Sequence, residues 1–219
     1  MKIGSRKEFS GEFRIPGDKS ITHRAIMFNA AARGEAVITG ALLGEDCLST
    51  AACMRALGAR VDVESDAVHV CGTEEFRDAK LYCGNSGTTM RLLMGLVAGR
   101  EVNAVFTGDP SLSNRPMERV AAPLRTLGAN ISTSDGKPPV CVHAASLTGT
   151  HVDTKVASAQ VKSAIILAAL GADGEMTVTE PLKSRDHTER MLAAMGAEIS
   201  SEGNAVTVRK SRLRAVDVE

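Results

Sequence analysis

The sequence predicts an α/β (α+β) fold built from three repeated βαβαββ-like units, with buried helices at the centre and small sheets outside. Three observations predict it. Leu57-Gly58-Ala59, Leu127-Gly128-Ala129 and Met195-Gly196-Ala197 close three similar stretches, their glycines 70 and 68 residues apart, and self-similarity at a fixed period marks repeated architecture. Each stretch holds a helix-length run that is apolar on nearly every side: Ala25-Ile26-Met27-Phe28, Leu92 to Val97, and Ala164 to Leu170. A helix without a polar face is a buried one. Each stretch also holds an amphipathic helix pattern, such as Thr188-Glu189-Arg190-Met191-Leu192, suited to the outside of such a bundle. Pseudo-threefold packing would bring the starts of the three buried helices to one end.

The first unit covers about 18–72. Ile21 to Ala32 reads as a helix, Ala36 to Thr39 as a strand, Glu45 to Leu57 as a second helix, and Arg60 to Glu64 and Ala67 to Cys71 as strands around the Ser65-Asp66 turn. The second unit, about 79–144, has a strand Ala79 to Cys83, a helix Thr88 to Ala98, and a strand Asn103 to Thr107. A helix Met117 to Leu127 and strands Asn130 to Thr133 and Val140 to His143 complete it. The third unit, about 151–210, has strands Val152 to Lys155, Met176 to Thr179, Glu198 to Ser201 and Ala205 to Arg209, with helices Ala159 to Leu170 and His187 to Met195. Gly58, Gly128 and Gly196 stand where a helix C-cap needs positive φ. Residues 18–210 thus form one three-unit domain. Outside it lie an N-terminal segment, 1–17, with a strand pattern Glu12 to Ile15 ended by Pro16-Gly17, and residues 211–219, where Ala215 to Val218 look like the start of another strand.

Composition narrows the function. The 219 residues carry no formal net charge, 43% hydrophobic and 24% charged residues, so nothing global points to nucleic acid or a membrane surface. Any anion site has to come from local clustering. Aromatics are scarce, with no Trp and Tyr82 as the single tyrosine, which argues against stacking on bases. Five cysteines without a Cys-x-x-Cys pair argue for free thiols over a disulfide framework or structural zinc. The longest apolar run, Ala164 to Leu170, is too short to span a bilayer, and the expected location is cytoplasmic. No P-loop, dinucleotide fingerprint or nucleophile elbow occurs. His23, His69, His143, His151 and His187 show no metal-ligand spacing.

The openings of the three apolar helices carry the candidate chemistry. Asp18-Lys19-Ser20 leads to Arg24, Asn85-Ser86-Gly87-Thr88 to Arg91, and Ser158-Ala159-Gln160 to Lys162. Helix N-termini offer unpaired N–H groups and partial positive charge, and so attract phosphate. Lys19 adds a point charge, Ser20 a hydroxyl and Arg24 a planar fork that matches phosphate oxygens. Capping is the competing reading, with Asp18, Ser20 or Ser158 as N-cap and Lys19 and Arg24 solvated. Arg91, among Leu and Met residues, is either a ligand or half of a structural ion pair. Arg115 and Arg185 stand near the starts of the second helices of their units, where a cation opposes the helix dipole and so hints at function.

The motifs Pro16-Gly17-Asp18-Lys19-Ser20-Ile21-Thr22-His23-Arg24, Gly84-Asn85-Ser86-Gly87-Thr88-Thr89-Met90-Arg91, Asn114-Arg115-Pro116-Met117, Ser158-Ala159-Gln160-Val161-Lys162-Ser163-Ala164 and Ser184-Arg185-Asp186-His187-Thr188-Glu189 resemble, in order, the 3-phosphoshikimate 1-carboxyvinyltransferase (EPSP synthase) family. The resemblance covers the N-terminal half of that enzyme. It implies two similar globular halves, each half of an inside-out α/β barrel and joined by a hinge, with residues 1–17 pairing into the second half and 211–219 starting the crossover to it. It implies transfer of the enolpyruvyl group of phosphoenolpyruvate to the 5-hydroxyl of shikimate 3-phosphate, in aromatic amino-acid biosynthesis, with release of phosphate and no metal or organic cofactor. Lys19, Ser20, Arg24, Ser158, Ala159, Gln160 and Arg185 would hold shikimate 3-phosphate. Lys19, Gly87, Arg115 and Gln160 would line the phosphoenolpyruvate site, with Asn85 and Arg91 nearby and Lys19 as the electrostatic catalytic group. Glyphosate would bind where Gly87 leaves room. Proton-transfer groups are expected in the C-terminal domain, so this chain alone should fold, bind shikimate 3-phosphate weakly, and not turn over. The alternatives are a non-enzymatic phosphate-binding module and a UDP-N-acetylglucosamine enolpyruvyl transferase-like enzyme, which favours Lys-Asn where this chain has Lys19-Ser20.

Overall fold

The computed structural model describes residues 10–12 and 15–219. The first unit runs α1 (Lys19–Ala30), β1 (Glu35–Thr39), α2 (Glu45–Leu57), β2 (Arg60–Val63) and β3 (Ala67–Cys71). The second runs β4 (Ala79–Tyr82), α3 (Gly87–Ala98), β5 (Ala104–Thr107), α4 (Pro110–Ser113), α5 (Glu118–Thr126), β6 (Asn130–Ser134) and β7 (Lys137–His143). The third runs β8 (His151–Asp153), α6 (Ala159–Ala169), β9 (Glu175–Thr179), α7 (His187–Ala194), β10 (Ile199–Glu202) and β11 (Ala205–Arg209). Each expected element of the three units is present, most ends shifting by one to three residues. The helix-closing glycines carry φ of 118° at Gly58, 97° at Gly128 and 88° at Gly196, the left-handed conformation that ends a helix cheaply only at glycine.

Three sheets surround the helices. Their strand orders are β1-β3-β2, β4-β5-β7-β6 and β10-β11-β9-β8. In the second and third units the opening strand lies parallel to the next, β4 beside β5 and β8 beside β9, and the other pairings are antiparallel. In the first unit the chain's last residues take that parallel place. Arg214 bridges Arg33 and Val218 bridges Ile38; Thr39 N donates to Val218 O at 2.9 Å and Val218 N to Val37 O at 3.1 Å. In place of the strand expected at Ala215 to Val218 there are isolated bridges, Val218 on the free edge of β1 and Arg214 at Arg33 just before it, fastened further by Val216 N to Asn29 Oδ1 at 2.9 Å. Of the strand expected over 12–15, residues 13 and 14 lie outside the described residues, and Glu12 and Ile15 carry no regular structure.

The helices α1, α3 and α6 are the buried ones, with Ala25 to Ala30, Leu92 to Ala98 and Ala164 to Ala169 almost free of solvent. Their interiors are Ala, Ile, Leu, Met and Val, and burial of that surface is the main drive to fold. The closest crossing is between α3 and α6. A Cβ on Gly95 would overlap the carbonyl oxygen of Ala164, so the two backbones touch where a side chain would otherwise stand. One helix was not expected. Asp109-Pro110 starts α4, with Asp109 Oδ1 accepting from Leu112 N at 2.7 Å and proline at its first turn, the usual N-terminal chemistry. That turn pushes the start of α5 to Glu118. Among the described residues no helix is long and apolar enough to cross a membrane.

Candidate anion site at the helix openings

The first turns of α1, α3 and α6 are built alike. Asp18, Ser86 and Ser158 are the N-caps, and each side chain accepts from the amide three residues on: Ile21, Thr89 and Val161. The capping reading thus holds for Asp18 and Ser158, while Ser20 is left free as the second helical residue. Thr88 and Gln160 occupy the same place in α3 and α6. The first amides of each helix have no intrahelical acceptor, so three N–H-rich turns are available to a ligand.

Side-chain bonds close these openings into a ring. Arg24 on α1 donates from Nη2 to Ser163 Oγ on α6 at 2.9 Å. Gln160 on α6 donates from Nε2 to Thr88 Oγ1 on α3 at 3.0 Å and accepts at Oε1 from Arg91 Nη1 at 3.0 Å. From α3 the ring returns through α2: Thr89 Oγ1 lies 2.7 Å from Thr50 Oγ1, which lies 2.7 Å from His23 Nδ1 on α1. The three openings therefore lie at one end of the domain, as the repeat pattern predicts.

Two positive clusters sit on this ring. In the first, Arg24 is 4% exposed, and Nε and Nη1 donate to Thr188 Oγ1 at 2.7 Å and Ser20 O at 2.9 Å. All of its partners, Ser163 included, are neutral oxygens. Arg185 Nη1 reaches Ser20 Oγ at 3.4 Å, and Lys19 lies alongside, 3.1 Å from Asp46 Oδ2. Burial, and then repulsion from Arg185, lower the Arg24 guanidinium to about 10. In the second cluster Arg91 is 6% exposed, donates to Gln160 Oε1 and to Pro116 O at 3.3 Å, and among the described residues has no partner at Nε. Arg119 Nη2 shares the same Gln160 oxygen at 3.2 Å, and Arg115 donates to Asn85 Oδ1. Burial, Arg119 and Arg115 together lower Arg91 to about 10.

Among the described residues neither Arg24 nor Arg91 is within salt-bridge distance of a carboxylate, so the ion pair considered for Arg91 is not formed. Buried cations are normally paired, because desolvation is expensive. Two buried guanidiniums held by neutral oxygens, each beside a further arginine, are placed to take an anion, with Glu189 and Asp18 offsetting part of the repulsion on Arg24.

Other expectations need correction. Lys162 does not face the opening: it is 2% exposed and lies 3.0 Å from Glu180 Oε2 and 2.6 Å from Glu189 Oε1. Its helix is buried all round, so an inward cation could survive only with such partners. Arg115 does not oppose the dipole of α5; it follows the C-terminus of α4, its amide donating to Leu112 O at 2.9 Å. Arg185 does stand just before α7, whose N-cap is Asp186.

Several supporting residues escaped the sequence. Glu180 Oε1 accepts from Ser158 N at 3.0 Å, and Oε2 from Ser184 N and Oγ at 3.2 and 2.7 Å, so one buried carboxylate fixes both the α6 opening and the loop that carries Arg185. Arg119 lies in the first turn of the amphipathic helix α5, facing the same Gln160 oxygen as Arg91. Gly87 has a negative role. A Cβ there would stand 2.8 Å from Arg91 Nη1 and 3.2 Å from Arg115 Nη1, so its absence keeps the space between two cations open. Among the described residues no group of His, Cys, Asp and Glu could hold a metal ion.

Residues 3–216 match the sequence profile of EPSP synthase (3-phosphoshikimate 1-carboxyvinyltransferase). The 3-phosphoshikimate 1-carboxyvinyltransferase of Chloroflexus aurantiacus is 49% identical over 216 residues, 95% of this chain and 50% of that protein. The Roseiflexus castenholzii protein of the same name is 50% identical over 207 residues, 91% of this chain and 48% of its own. In three dimensions the chain is similar to EPSP synthase from Acinetobacter baumannii, with a TM-score of 0.91 and 45% identity over 94% of this chain and 49% of that one. The chain spans about half the length of these relatives.

Proposed function

The chain belongs to the EPSP synthase family, and on that premise we propose that it forms the substrate-binding half of an enzyme that moves the enolpyruvyl group of phosphoenolpyruvate to the 5-hydroxyl of shikimate 3-phosphate. The observation that carries this reading is the pair of buried arginines, Arg24 and Arg91, held by neutral oxygens beside further cations at converging helix openings. The Arg24 cluster, with Lys19, Ser20 and Arg185, takes shikimate 3-phosphate together with Ser158, Ala159 and Gln160. The Arg91 cluster, with Arg115, Gly87 and Asn85, takes phosphoenolpyruvate and, in its place, glyphosate. In this reading Lys19 and Gln160 serve both substrates.

The reaction passes through a tetrahedral intermediate with two phosphates and a carboxylate. Preorganised cations and helix N-termini stabilise such charge where it develops. The proton transfers need groups within hydrogen-bond reach of the reacting atoms, and these come from a second, C-terminal domain. In this reading residues 1–17 and 211–219 connect to that domain, and the chain by itself binds shikimate 3-phosphate without turning over. The enzyme acts in the cytoplasm and binds neither nucleic acid nor membrane.

Titration of the chain with shikimate 3-phosphate, followed by amide chemical shifts, tests the proposal. Shifts are expected around Lys19, Arg24, Gln160 and Arg185, weakening with salt; a flat response at all four overturns it. Phosphate release measured with and without a separately supplied second domain tests the division of labour, and turnover by this chain alone refutes it.

A further inference from the structure

None of the residues proposed to bind substrate lies on the helix α2, yet its first two turns hold the backs of two of the helix openings. Asp46 Oδ2 pairs with Lys19 Nζ at 3.1 Å, Asp46 O accepts from Thr89 Oγ1 at 3.3 Å, and Cys47 Sγ points at Lys19 O at 3.8 Å. The centre of this arrangement is Thr50, fully buried, 2.7 Å from His23 Nδ1 on α1 and 2.7 Å from Thr89 Oγ1 on α3. A hydroxyl has one proton, so Thr50 donates to one neighbour and accepts from the other. From Thr89 the chain continues 2.7 Å to Ser86 Oγ, the N-cap of α3 and the residue before Gly87. Among the described residues His23 has no second partner at Nε2, and Thr50 supplies the one hydrogen bond that its buried ring makes.

We propose that Thr50 is a positioning residue: through His23 and Thr89–Ser86 it sets the spacing between the Lys19 turn and the Gly87 turn, and with it the fit of the two substrates to each other. The inference rests on the reading that these two turns serve one reaction. Shape alone does not explain the site. A valine would fill the same volume, but would leave the His23 Nδ1 position unpartnered and cut the path to Ser86. Buried polar groups without partners are what folded proteins avoid.

Two substitutions separate the hydroxyl from the packing. Thr50→Ser keeps the oxygen and loses a methyl; Thr50→Val keeps the shape and loses the oxygen. Without ligand, T50V is expected to shift the backbone amide resonances of both Lys19–His23 and Ser86–Thr89, and T50S to leave them near their original positions. With shikimate 3-phosphate, T50V is expected to bind about tenfold more weakly and T50S within about twofold of the unaltered chain, a tenfold change corresponding to about 1.4 kcal/mol. T50V shifts confined to α2, or equal weakening in the two variants, overturn the proposal. Should T50V not fold, Thr89→Val cuts the same path at its other end and is read the same way. If the unaltered chain does not bind shikimate 3-phosphate, the functional reading fails, while the ligand-free amide comparison still decides the role of Thr50.

Discussion

Replacing Lys162 with methionine isolates the ion cluster buried beneath α6. Two carboxylates, Glu180 and Glu189, face one ammonium, and all three side chains are almost without solvent. Methionine fills a similar volume, so packing is kept and two buried carboxylates lose their counter-ion. Breaking a buried pair by removing one partner costs about 3–5 kcal/mol. At roughly 2–4 °C per kcal/mol for a chain of this size, the melting temperature falls by about 6–20 °C. The pH dependence changes sign as well. Burial pushes the Glu180 carboxyl up, but hydrogen bonds from Ser184 and Lys162 outweigh it and hold it below the ordinary value. A depressed carboxyl contributes stability that is present above its unfolded value and lost as pH falls. In K162M the Glu180 carboxylate is buried without the ammonium, so its pKa rises; its contribution is then present at low pH and lost as pH rises. Urea unfolding followed by circular dichroism, for both chains from about pH 4 to 8, reads the difference, in which other titrating groups cancel. A loss below about 1 kcal/mol at neutral pH, or curves running parallel, would refute the reasoning.

Three further outcomes are expected. Gly95→Val should cost more than about 3 kcal/mol, since backbone rather than a movable side chain blocks the new atoms; an unchanged thermal melt would contradict the backbone crossing. Burial, against the pull of Asp46, lowers the His23 imidazole from 6.5 to about 4. The unfolded chain therefore takes up the proton first, and stability falls as pH drops from about 6.5 to 4, by roughly 3 kcal/mol. His23→Gln should flatten that part of the unfolding curve. Gly87→Ala should keep the fold, because the atoms it meets are the ends of two arginines. It should weaken phosphoenolpyruvate and glyphosate by about tenfold or more, the scale of one methyl in a tight site. Shikimate 3-phosphate, measured by calorimetry, should be little changed; equal losses for all three ligands would argue against separate clusters.

The fold was legible where local chemistry and burial agree. The period, the three glycine caps and the two kinds of helix could be read because a cap needs positive φ and an all-apolar run needs burial, whatever its neighbours. Side-chain direction on those same runs could not be read. Lys162 lies on a helix with no solvent face, so nothing in its surroundings says whether it points to the opening or to Glu180 and Glu189, which lie 18 and 27 residues downstream. Arg24, Arg91 and Gln160 were identifiable as candidates from their place in the first turns, but not the neutral oxygens that hold the arginines, three of which, on Ser163, Thr188 and Gln160, come from another unit. Gly95 reads as one more small residue in an apolar helix; its role exists only at the contact with Ala164.

The two seams around the central helices differ in stiffness. Where α3 crosses α6, backbone rests on backbone, and no rotamer can yield. α1 is tied to them by hydroxyls and a guanidinium, Thr50, Ser163, Thr188 and Arg24, all groups that can turn. The gap between Gly87 and Gln160 is therefore set by backbone contact, and that between Lys19 and Gly87 by side-chain hydrogen bonds, so single substitutions can retune the second and not the first.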